Sequence, residues 1–181
     1  MTLADPRTAL NEIVTKLTAL QMPITFADPQ VDAFDKVNIF DLQDLAKALE
    51  ELFLYSNRIA LVGLDGVSHS NRVSGRSLIT ERSLDVTVLI ADRRFSDRQK
   101  AMMGDATTPG AVLLEKLLVD DLAGELPSGA VVTPGQGRLI SLEFEKRTNE
   151  TGRILFAQDF RVAVDWASTP LTRKAKIGAT E

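Results

Sequence analysis

The single histidine, His69, sits in Ser68-His69-Ser70-Asn71, and the chain contains no cysteine. Thiol catalysis, disulfides and Cys/His zinc sites are thereby excluded, and any histidine-dependent triad would have to use His69. A general base must be held within hydrogen-bond reach of its proton and oriented by a third group. The serine-rich surroundings of His69 supply no such frame, so it reads as a solvated histidine. Glu143 and Glu145 share one face of an alternating segment, about 7 Å apart. With Asp159 they define the enzymatic alternative, a metal-dependent hydrolase. The same alternation arises on any solvated strand face, and no metal ligand is assigned. Asp120 and Asp121 point apart on a helix and serve solvation. Gly63-Leu64-Asp65-Gly66 follows a strand as a phosphate cradle would, yet it lacks G-x-G-x-x-G spacing and leads into serines; it reads as a strand-ending turn. Arg93, Arg94, Arg98 and Lys100 against Asp97 give a local charge of +3. Phe95 is the lone aromatic among them, so a single-stranded nucleic-acid groove is not indicated, and a protein partner or passing polyanion fits the charge better. No catalytic or cofactor-binding residue is assigned.

Composition sets the frame around these residues. The 181 residues include 21 basic and 25 acidic side chains, a net charge of −4, with 44% apolar and 25% charged. That is the balance of a globular chain, long enough to bury roughly 70% of its unfolded surface without staples. An acidic total argues against broad nucleic-acid binding. The start, Met1-Thr2-Leu3-Ala4-Asp5-Pro6, lacks the cationic and apolar regions of a signal peptide, and no stretch of about 18 apolar residues exists to span a membrane. The expected setting is the cytoplasm, where the sequon Asn149-Glu150-Thr151 stays idle.

Periodicity supplies the elements. Leu10, Ile13, Val14, Leu17 and Leu20 recur at helical spacing and predict a helix from Pro6 to Leu20, capped by Asp5. Residues 24–40 predict only a short extended piece near Ile24–Phe26. Leu42, Leu45, Ala46, Leu49, Leu52 and Phe53 predict a second helix from Asp41 to Tyr55. Arg58–Leu64 is a continuous apolar run, a strand buried on both faces, and Asp65–Ser77 reads as a mobile polar loop. Leu78–Ala91 reads as a long strand, with Leu84, Val86, Val88 and Ile90 inward and Asp85 and Thr87 outward. Residues 92–109 read as a second loop, with room for a helical turn at Ser96–Met103. A third helix is predicted from Pro109 to Leu122, capped by Thr108. With Val112, Leu113, Leu114, Leu117, Leu118, Val119 and Leu122 it should be the most buried of the three and lie flat on the sheet. Four glycines and two prolines mark residues 124–137 as a turn-rich connection. Arg138–Arg147 and Arg153–Trp166 alternate and predict an antiparallel hairpin. The expected fold is α+β, a mostly antiparallel sheet with helices packed on one face. It forms a single domain over residues 1–167, with a flexible tail at 168–181.

The helix beginning Phe40-Asp41-Leu42-Gln43-Asp44-Leu45, the strand Arg58–Leu64 ending in Gly63-Leu64-Asp65-Gly66, the leucine-rich third helix and the closing hairpin together resemble the Mu-like prophage gp37-like tail family. That family is similar in fold to the tail terminator proteins of long-tailed phages. The resemblance spans about residues 6–166 and implies a structural protein, not an enzyme and without a cofactor. It would cap the tail tube as a ring, as a hexamer of itself, and aid head–tail joining. Its implied partners are the tail tube protein and a head–tail connector protein, with DNA only as passing cargo and no membrane. Its place would be the virion tail, assembled in the bacterial host cytoplasm. On this reading the loops Asp65–Ser77 and Asp92–Thr107 order on partners, and Arg72, Arg76, Arg93, Arg94 and Arg98 are the partner contacts. A monomeric protein-binding adaptor is the remaining alternative.

Overall fold

The computed structural model describes residues 6–23, 30–40, 57–74, 77–92, 98–104, 110–139 and 154–170. In chain order the elements are α1 (Pro6–Ala19), β1 (Gln21–Pro23), β2 (Gln30–Asp32), β3 (Lys36–Phe40), β4 (Arg58–Ser74), β5 (Ser77–Asp92), α2 (Arg98–Met103), α3 (Ala111–Leu122), β6 (Gly124–Glu125), β7 (Val131–Leu139) and β8 (Ile154–Pro170). Among the described residues β1 and β2 form a small antiparallel ribbon, and six strands form the main sheet in the order β3-β4-β5-β8-β7-β6. The sheet is mixed: β3 lies parallel to β4, and the other four pairings are antiparallel. The α+β class expected from the sequence is the one found.

The core follows from the two periodicities. Even-numbered residues of β5 and β8 (Leu84, Val86, Val88, Ile90, Phe156, Phe160, Val162 and Val164) share one face with Ala60 and Val62 of β4. Onto that face α1 lays Ala9, Leu10, Ile13 and Leu17, and α3 lays Leu114, Leu118 and Leu122, each set repeating every three or four residues. The opposite face carries a smaller buried cluster of Phe40, Ile59, Leu61, Leu89, Ala91 and Ala157. Arg58–Val62 and Val88–Ala91 are thus buried on both sides, as the unbroken apolar run of β4 predicts.

A polar lock closes this end of the sheet. Arg58, only 1% exposed, donates from Nε to Asp92 Oδ2 at 2.9 Å and from one terminal nitrogen to the Ala33 carbonyl at 3.2 Å. Asp35 Oδ2 accepts the backbone N–H groups of Asn57 (2.7 Å) and Arg58 (3.0 Å). These bonds tie the β2–β3 turn to the first residues of β4. Burial pushes the Asp92 carboxyl up from 3.8 to about 6, against the pull of the Arg58 hydrogen bond and charge and with a further push from Asp35.

Several expectations are corrected. Of the expected loop Asp65–Ser77, residues 65–74 are strand, and residues 75–76 lie outside the described residues. β4 runs on to Ser74, paired with β5 up to Ser74↔Ser77, because ladder pairing overrides the low strand propensity of serine and glycine. Between Phe26 and Phe40 the chain places β2 and β3 rather than little else. Residues 124–137 hold β6 and most of β7. Gly124 and Gly129 take positive φ (114° and 84°) at the turns, whereas Pro134 sits at a register shift in β7, where a strand tolerates proline. α3 starts at Ala111 with Gly110 as its N-cap residue, and it buries a narrow stripe instead of most of its circumference, leaving Val112 and Leu113 exposed. β8 continues through Pro170, so residues 168–170 belong to a strand and not to the tail. The antiparallel pairing of the last two strands is found, with Leu139 opposite Phe156. The expected helix 41–55, the strand residues 140–147 and the tail beyond Pro170 lie outside the described residues.

Candidate functional site

The face of the sheet opposite α1 and α3 changes character halfway along. Past Leu61 and Leu89 it turns polar, because the outward positions of β5 become Thr87 and Asp85 and those of β8 become Asp159 and Arg161. The strand order β4-β5-β8 brings these residues together across one surface. A β-bulge adds β4: the register shifts between Leu64 and Gly66, so Asp65 is the extra residue and Gly66 faces Asp85. Gly63 precedes the bulge for a steric reason. A Cβ there would lie 2.7 Å from Cε1 of the Phe40 ring, which packs against the backbone. Gly63-Leu64-Asp65-Gly66 is therefore neither a phosphate cradle nor a strand-ending turn, but a bulge within a continuing strand.

Thr87 is the centre of the network. Its hydroxyl lies 2.7 Å from Asp159 Oδ1 and also contacts Asp65 Oδ2. A hydroxyl carries one proton, so it donates to one of these carboxylates at a time. Arg138 of β7 pairs with Asp159 Oδ2. Ser68 donates to Asp85 Oδ2 at 2.6 Å, and Arg161 Nε stands 3.7 Å from Asp85 Oδ1. On the β7 side the Gln158 amide, 1% exposed, donates to the carbonyls of Gly135 (3.3 Å) and Asp159 (3.1 Å) and holds the bulged segment in place. Of these groups Asp65, Asp85, Asp159 and Arg161, together with Thr133, Pro134 and Gln136, border an open depression of about 610 Å³. It presents fixed opposite charges to the outside, which suits a polar contact with another macromolecule. Among the described residues no three His, Cys, Asp or Glu side chains converge to hold a metal ion.

The residues singled out in the sequence do not gather there. Arg72 lies in the far half of β4, opposite Ile79. Arg98 opens α2. Arg76, Arg93 and Arg94 lie outside the described residues, as do Glu143 and Glu145 of the hydrolase alternative. His69 is exposed on β4, opposite Arg82. Asp159 borders the depression and pairs with Arg138. Sequence reasoning had Asp85 and Thr87 on outward strand positions and Asp159 and Arg161 within an alternating strand. It lacked the strand order that makes them neighbours. Among the described residues no helix is long and apolar enough to cross a membrane. No family model matches the chain, and no curated protein is significantly similar to it.

Proposed function

We propose that this chain is a structural subunit of a phage or prophage tail, a terminator or tail-completion protein. On this reading it caps the tail tube as a ring of copies of itself, with a hexamer expected, and presents a surface for the head–tail connector. It acts in the virion tail after assembly in the host cytoplasm, and DNA passes through the ring as cargo. Two features support the reading. The leucine-rich α3 and the antiparallel β7–β8 pair match two parts of the layout on which the family resemblance rests. The observation that carries it is the length of β4, β5 and β8, with 17, 16 and 17 residues, beside neighbours of 5 and 9. Three strands outrun the body they help to build, as expected of a subunit that reaches for neighbours. A ring from one kind of subunit needs such a heterologous contact, closed by rotation.

Electron microscopy of the purified protein, alone and mixed with tail tubes, tests this. Rings that cap tube ends are expected, and the triple variant Arg93→Glu, Arg94→Glu, Arg98→Glu should cap poorly while remaining folded. Bare tube ends in the presence of excess folded wild-type protein would rule the reading out.

A further inference from the structure

We draw no further inference here: the strongest candidate, the exposed apolar patch of Ile39, Leu64 and Val67 around the point where β4 runs past the end of β3, is an unpartnered surface, and nothing in the structure shows what covers it.

Discussion

Asp92 lies almost wholly out of water beside Arg58, and two opposing effects meet on its carboxyl. Burial disfavours the charged form, and the guanidinium favours it. Burial prevails, since the folded-state value of about 6 stands above the ordinary 3.8. The native state therefore holds this proton more tightly than the unfolded chain does. Stability from this group is fully present below about pH 4, declines as pH rises toward 6, and is flat beyond. The loss is on the order of 2–3 kcal/mol for a shift of this size. Asp92→Asn keeps the shape and a neutral partner for Arg58 at every pH. The difference in unfolding free energy, wild type minus Asn variant, should therefore fall by about that amount between about pH 4 and 7. Urea unfolding at several pH values measures it. A difference that does not change with pH would show that the carboxyl is not perturbed by its burial.

Helix α3 illustrates how an element can be read correctly and its burial misjudged. Its run of Leu and Val promised an apolar face around most of the helix, yet only Ala111, Leu114, Leu118 and Leu122 are buried, Leu117 and Val119 are partly so, and Val112 and Leu113 are exposed. Adjacent side chains on a helix point in different directions, so Leu113 faces outward where Leu114 faces the core. Leu118→Ala should thus cost about 2–5 kcal/mol, whereas Leu113→Ala, at a surface position, should cost well under about 1 kcal/mol. Denaturant midpoints of the two variants decide it, and equal losses would contradict the packing. The same distinction governs what else was legible. α1 and the inner half of β5 declare themselves because one buried face imposes a clean period on the residues. β7 hides behind Pro134, Gly135 and Gly137, because a bulge admits the residues that elsewhere mark a loop. The outer half of β4 hides behind serines, since its order comes from pairing with β5 rather than from its own composition. The polar depression was half legible. Each strand showed its outward Asp, Thr or Arg, but Thr87 and Asp159 stand 72 residues apart, and only the β4-β5-β8 order makes them partners.

At the scale of the whole molecule the long strands cross two environments within one hydrogen-bonded ladder. Arg58–Val62 of β4 and Val88–Ala91 of β5 lie between the helix-covered core and the second cluster of Phe40, Leu61 and Leu89. From Val67 to Asn71 the side chains of β4 are exposed or half-buried on both faces. Opening the inner segment exposes two buried faces and amounts to global unfolding. Opening β4 at Val67–Asn71 sacrifices backbone bonds and little buried apolar surface. Hydrogen exchange should divide each strand accordingly. Amides of residues 59–62 and 88–91 should exchange only through global unfolding, and their protection should fall in step with stability in mild denaturant. Amides of residues 68–73 and 78–82 should exchange by local opening, at a rate nearly independent of denaturant. Uniform protection along β4 and β5 would mean that the two halves unfold as one unit.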